Sequence, residues 1–438
     1  MFNFDFSQIL DRITPNSSDI KCIDESIAKV VSYLNSASEN SGVSVQVVPG
    51  GSTAKGTFLK GNFDIDIFVR FKTDEKNISD ILELMLGDFI EQNSLVLERV
   101  HGSRDYFNFE FEGLFFEIVP VKFIESLGDS DNVTDMSPLH VFWVKKHLTP
   151  SLQNDIRLAK QFCKSIGVYG AESYINGLSG HVLDILIIHF GGFIPLLTAA
   201  TSWTGVTVID PEKKHENVFE ELNQSKLVSP LIVIDPIDHQ RNAAAAVSLD
   251  KYNLFIKRAK EFLEHPDEKY FIIPKFNLEK LISHKQDSEN LFVIKIKPQQ
   301  GKKDVVITKV LKIFEFLKRH LVLYDFDVRL SDWFVGPDIE EYSPQESSSD
   351  ESTFCYLYFF IDNQELSHSI DRQGPPVDNF QAVERFKEVH DSVFEKDDHL
   401  WVVVRRDFTV SETCLHHLIH QEFVISRCQT VSMRVIGR

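Results

Sequence analysis

Apolar residues in the first third of the chain switch between helical and alternating spacing. Pro15-Asn16-Ser17-Ser18-Asp19 supplies capping residues, and Ile20, Ile23, Ile27, Val30, Val31 and Leu34 then recur at helical spacing until Ser41-Gly42. Residues 43–48 read as a strand, Pro49-Gly50-Gly51-Ser52 as a turn, and 53–59 as a short helix. Alternation over 64–71 predicts a strand, and 78–90 reads as an amphipathic helix. Two further strands, 108–112 and 114–121, flank Gly113. From about 138 to 246 the pattern turns helical, most clearly over 155–166 and 178–190, with Asn242-Ala243-Ala244-Ala245-Ala246 starting another helix. The last third is mixed, with basic amphipathic helices (252–262, 305–323) and strands (291–296, 353–361). Residues 338–352 hold six acids, five serines and no base, which reads as a flexible acidic loop. No internal repeat is visible.

Length adds a domain count. At 438 residues the prior is about three domains. The most apolar stretch, 182–197, carries Asp184 and His189 and is broken by Gly191, Gly192 and Pro195, so no membrane span is expected. The N-terminus has no basic n-region and predicts no secretory signal. Five scattered cysteines, in no CxxC pair, argue against a disulfide framework and for the reducing cytoplasm. A net charge of −19 argues against nucleic-acid binding over the whole surface. Residues 251–330 nevertheless carry +6, which leaves room for a local basic face.

Chemistry concentrates around residue 64. Asp64 and Asp66 are two apart on the predicted strand, so both carboxylates emerge on one face. Two anions held so close repel unless a cation lies between them. Gly50-Gly51-Ser52 precedes them at a turn able to cradle phosphate, and a third acid, Glu117, sits among Phe115, Phe116, Ile118 and Val119 on a later strand. Three carboxylates with a phosphate-gripping turn suit two-metal nucleotidyl transfer, and oxygen ligands suit Mg²⁺. His416 and His420 stand at a spacing zinc sites use, without an evident third ligand.

The run from Gly51 through Ser52, Lys55, Gly56, Gly61, Asp64 and Asp66 to Phe68 resembles the signature of the nucleotidyltransferase (polymerase beta-like) superfamily. More narrowly it resembles the class I, archaeal-type CCA-adding enzymes, or tRNA nucleotidyltransferases. Residues 155–162 and 167–180, Asp235-Pro236-Ile237-Asp238 with Arg241-Asn242, Gly374-Pro375-Pro376 and Phe394-Glu395-Lys396 before Trp401 extend that likeness over nearly the whole chain.

The resemblance implies a multidomain α/β enzyme. Its parts would be a nucleotidyltransferase palm sheet (1–140), a mostly helical central nucleotide-binding domain (141–255), and a mixed α+β tRNA-binding C-terminal region (256–438) with a tail subdomain at about 305–375. Asp64, Asp66 and Glu117 would hold two Mg²⁺ ions. Ser52, Lys55, His140, Lys160 and Tyr169 would meet the triphosphate of CTP or ATP, and Arg241 would help recognise the base. The family usually has Asp where this chain has Glu117. The tRNA would be held by its acceptor and TΨC stems and its 3′ end; a homodimer is left open. Two alternatives stand beside this one. The first is another RNA nucleotidyltransferase, such as a poly(A) polymerase or a partial CC- or A-adding enzyme. The second is a catalytically silent tRNA-binding protein. Taken alone, Lys160 on an amphipathic helix reads as a surface residue, Tyr169 as core or interface, and Arg241 as an ion-pair partner of Asp235 or Asp238.

Overall fold

The computed structural model describes residues 2–437 except 62, 73–76, 103, 126, 127, 129, 131 and 337–353. The acidic segment expected as a loop therefore lies outside the described residues. Contacts divide the chain into two units, Met1–Ile273 and Pro274–Arg438.

The first unit opens with α1 (Ser7–Ile13) and α2 (Ser17–Ser41). Asn16 and Asp19 form a reciprocal capping box at the start of α2, and Gly42, at φ 72°, ends it in the left-handed region. There follow β1 (Val45–Pro49), α3 (Gly51–Lys55), β2 (Asp64–Phe71), α4 (Ile78–Gln92), β3 (Glu98–Val100), β4 (Tyr106–Phe111) and β5 (Leu114–Lys122). The strands form one sheet in the order β1-β2-β5-β4-β3, with β2 and β5 parallel and the other pairs antiparallel. Strand alternation separates its faces. Ile65, Ile67, Val69 and Phe71 pack with Phe107, Phe109, Phe116 and Ile118 beneath α2 and α4. Asp64, Asp66 and Phe68 point the other way, where Phe68, Val119, Val121 and Val141 make a smaller apolar patch.

The rest of this unit is α5 (Ser137–His147), α6 (Pro150–Ser165), α7 (Gly180–Phe190), α8 (Phe193–Ala200), β6 (Thr207–Ile209), α9 (Val218–Glu221), β7 (Leu231–Val233) and α10 (Leu249–Glu264). Thr149, Ser179 and Ser248 cap α6, α7 and α10. Ile9 and Ile13 of α1 join this helical core, in which Phe162 is wholly buried. The helix expected from Asn242 does not form. Asn242 Oδ1 instead accepts the backbone N–H groups of Val233 and Ala244, at 3.0 and 2.9 Å, which ties 242–244 to β7 and delays the helix to Leu249.

The second unit comprises α11 (Leu278–His284), β8 (Glu289–Pro298), α12 (Lys303–Leu323), β9 (Val328–Val335), β10 (Cys355–Asp362), β11 (Ser369–Pro376), α13 (Phe380–Val389), β12 (Val393–Lys396), β13 (His399–Arg405), α14 (Ser411–Ile419), α15 (Glu422–Ile425) and β14 (Cys428–Ile436). Its antiparallel sheet runs β14-β8-β10-β9, and a three-stranded sheet runs β11-β13-β12. His420 Nδ1 donates to the His416 carbonyl at 2.7 Å, so the spacing of that pair serves a helix end.

Cys163, Cys355, Cys414 and Cys428 are buried free thiols, and Cys22 is exposed on α2. Burial pushes the Cys355 and Cys414 thiols up to about 12. Among the described residues no single helix is long and apolar enough to cross a membrane.

Phe162 meets Phe193, Phe255, Phe262, Tyr270 and Phe271, with ring centroids 5.6–6.4 Å apart. Phe162→Ala should lower the unfolding free energy of the first unit by about 3–5 kcal/mol, read as a shifted midpoint in urea unfolding followed by tryptophan fluorescence.

Candidate active site

The parallel register of β2 and β5 places Asp66 directly opposite Glu117, and Asp64 opposite Phe115. Asp64, Asp66 and Glu117 therefore share the sheet face away from α2 and α4. Burial, reinforced by the neighbouring Asp64 and opposed by Lys55, pushes the Asp66 carboxyl up to about 6. An anionic face so penalised calls for a cation. Asn108, opposite Glu117 on β4, adds a buried Oδ1 with no hydrogen-bond partner. Nothing in the sequence singled Asn108 out; only the strand register brings it to this face.

The turn between β1 and α3 lies against the same acids. Gly50 N–H donates to the Asp66 carbonyl at 2.7 Å. At Gly51 φ is 57°, and an added Cβ would lie 1.6 Å from Asp66 Oδ2. Only glycine permits this approach.

Past α3 the chain leaves its helix with carbonyls that no later turn can bond. Helix α6 supplies their donors. Gln153 Nε2 donates to the Lys55 carbonyl (3.0 Å), Arg157 to those of Gly56 (2.5 Å) and Phe58 (3.2 Å), and Lys160 Nζ to that of Thr57 (3.0 Å) and to its Oγ1 (3.2 Å). Lys160 is thus buried, contrary to the surface reading of an isolated lysine, and burial lowers its pKa to about 8 against the pull of Asp184.

Two buried acids organise the remaining polar side chains. Asp184, wholly buried on the apolar helix α7, pairs through Oδ2 with Lys55 Nζ, while its Oδ1 has no hydrogen-bond partner. Asp235, also wholly buried, follows β7. Its Oδ1 accepts the N–H groups of Ile237 (2.9 Å) and Asp238 (3.2 Å) from its own loop and His140 Nε2 (2.8 Å) from α5. Its Oδ2 takes Arg241 Nη1 at 2.8 Å. His181 Nε2 lies 3.4 Å from Oδ2, within ion-pair reach but outside hydrogen-bond alignment, and the His140 and His181 ring centroids are 4.4 Å apart. Burial alone would raise the Asp235 pKa, but His140 and His181 outweigh it and hold the group well below the usual carboxylate range. His140, His181 and Asp235 have ligand atoms within 4.8 Å of one another. Arg241 and two backbone amides already occupy the carboxylate, however, which makes the cluster an anion hub.

Tyr169 follows α6 and bridges to Leu178; a Cβ on Gly180 would lie 3.1 Å from its hydroxyl and 3.8 Å from Lys160 Cε. The structure thus joins Lys160 and Tyr169 at the start of α7, and Lys55 to that helix through Asp184. His140 and Arg241 meet at Asp235, and Ser52 lies on α3.

Three family models match successive stretches. They are the nucleotidyltransferase domain over 30–119, the second domain of tRNA nucleotidyltransferases over 154–272, and the C-terminal domain of CCA-adding enzymes over 290–424. The CCA-adding enzyme of Nanoarchaeum equitans is 33% identical over 411 residues, covering 92% of this chain and 94% of its own. The chain belongs to the CCA-adding enzymes, a family of tRNA nucleotidyltransferases. The CCA-adding enzyme of Methanocaldococcus jannaschii matches at 28% identity over 92% of this chain and 87% of its own. That of Pyrococcus abyssi matches at 30% over 78% of each. Membership in the CCA-adding enzymes sets aside the poly(A) polymerase alternative.

For a CCA-adding enzyme the closeness of Gly51 to Asp66 has a direct consequence. Gly51→Ala should cut nucleotide incorporation by about a hundredfold or more, since about an ångström of displacement at reacting groups costs that much. Binding of tRNA, measured by filter retention, should stay within about threefold of wild type.

Proposed function

We propose that this chain completes immature tRNA by adding C, C and A to its 3′ end from CTP and ATP, releasing pyrophosphate, and that transfer takes place on the acid-bearing face of β2 and β5. The observation that carries this reading is the shared sheet face of Asp64, Asp66 and Glu117 beside the Gly50–Gly51 turn. An all-oxygen donor set, with Asp66 already penalised as an anion, fits a hard divalent cation such as Mg²⁺. Two Mg²⁺ ions held there would supply the positive charge that makes the tRNA 3′-hydroxyl a nucleophile and offsets the triphosphate.

The chain's own residues do the positioning. Asp64, Asp66 and Glu117 are the proposed metal ligands. Ser52 offers its hydroxyl from α3. Lys55 and Lys160, each already fixed by a protein partner, keep N–H donors to spare for the triphosphate. Tyr169 and His140 complete that set, and Arg241, with one guanidinium nitrogen on Asp235, presents its remaining edge to the base. The exposed Lys302, Lys303, Lys312, Lys318 and Arg319 around α12 offer a basic surface for the acceptor and TΨC stems. Free thiols at all five cysteines suit the cytoplasm.

The direct experiment incubates the purified chain with tRNA lacking its CCA end, Mg²⁺, and labelled CTP and ATP, and resolves the products on a sequencing gel. Growth by C, C and A is expected. Binding without incorporation would establish the silent alternative, and a product stopping at CC would establish a partial enzyme.

Asp64→Asn, Asp66→Asn and Glu117→Gln should each reduce incorporation by about a hundredfold or more while leaving tRNA affinity within about threefold. Glu117→Asp, which keeps the charge, should stay within about tenfold of wild type. Equal activity in both Glu117 variants would remove that residue from the ligand set.

The Lys160 pKa near 8 gives a pH test. Its ammonium loses the proton as pH rises through that value, so the KM values for CTP and ATP should climb together between about pH 7 and 9. Steady KM values over that range would leave Lys160 only its contact with Thr57.

A further inference from the structure

Arg241 is a long side chain on a loop, a third exposed, whose Nε and Nη2 have no partner among the described residues. Such a group reads a base edge only if its guanidinium is fixed. C and A offer an amine donor beside a ring-nitrogen acceptor, and U and G reverse that polarity. Discrimination therefore needs the guanidinium held to within about half an ångström of its productive place. Asp235 is the only hydrogen-bonding partner Arg241's side chain has among the described residues.

The same carboxylate reaches across the fold. Its loop is closed by the Asp235 N–H to the Arg241 carbonyl (3.0 Å) and the Arg241 N–H to the Asp238 carbonyl (2.9 Å). Oδ1 is pinned by the Ile237 and Asp238 amides, so the carboxylate cannot rotate without losing them. Held in this way, it also takes His140 from α5, which lies 95 residues earlier in the chain.

We propose that Asp235 is the positioning residue that fixes Arg241 and His140 against each other, so that base selection and the grip on the triphosphate are set by one buried carboxylate. This rests on the roles proposed above for those two side chains. Asp235 touches no substrate; it acts through its neighbours. A nucleotide with the wrong base edge is then refused by a guanidinium that cannot shift to accommodate it. Loosening the carboxylate affects both ends of the nucleotide at once.

The test is Asp235→Asn in the full chain, with each of CTP, ATP, UTP and GTP assayed on tRNA lacking its CCA end. The carboxamide keeps the volume and an acceptor for the loop amides, but its NH₂ group faces Arg241. The KM values for CTP and ATP should rise together by about tenfold, and preference over UTP and GTP should fall by about tenfold or more. Combined with Arg241→Ala, the substitution should cost no further selectivity, because both changes remove one interaction. Unchanged selectivity in Asp235→Asn, when Arg241→Ala loses it, would overturn the proposal and leave the base-reading role intact. Unchanged selectivity in Arg241→Ala would overturn the role of Arg241 itself. If Asp235→Asn does not fold by thermal unfolding, Asp235→Glu decides, since it keeps the charge and displaces it by a methylene. Lost preference for CTP and ATP in that variant supports the positioning role, and wild-type preference overturns it.

Discussion

The carbonyl groups of residues 55–58 are the constraint on which the first unit turns. A five-residue helix such as α3 cannot satisfy all its own C-terminal carbonyls, and the chain that follows it is buried at Thr57 and Phe58. Gln153, Arg157 and Lys160 recur along one side of α6 at spacings of four and three, and each delivers a donor to the next carbonyl along. Sheet and helical core are thereby joined at the turn that leans on Asp66. Removing Arg157 or Lys160 would leave the buried carbonyl of Phe58 or Thr57 unpaired, at about 1–3 kcal/mol. The turn would also be free to drift from the acids.

Two of the cations proposed to meet the nucleotide are each paired with a wholly buried carboxylate. Lys55 is backed by Asp184, and Arg241 by Asp235. The two aspartates hold these side chains at fixed positions. The arrangement asks for wholly buried carboxylates, costly by desolvation, which persist because their donors are equally fixed.

How much of this was legible in the sequence depended on range. The alternation at 64–71 predicted β2 to the residue, since one face had to be apolar and the other carried the acids. The Asn16 box and Gly42 marked both ends of α2. Asn242 misled because its neighbours are helix formers, while its own side chain bonds to β7, a partner no local pattern reveals. Lys55 with Asp184 and His140 with Asp235 are 129 and 95 residues apart. An acid in an apolar helix gave a hint of Asp184 without naming its partner. Likeness to a family pointed to Lys160, His140 and Arg241, but the hold of Lys160 on Thr57 emerged only from the fold.

The cysteines carry a practical consequence. Four thiols sit in the interior, where burial keeps them protonated, and only Cys22 meets solvent. A maleimide dye added to the unaltered chain would attach at one place, the outer side of α2. Fluorescence anisotropy or energy transfer to a labelled tRNA could then follow each round of growth at the 3′ end, without first engineering the surface.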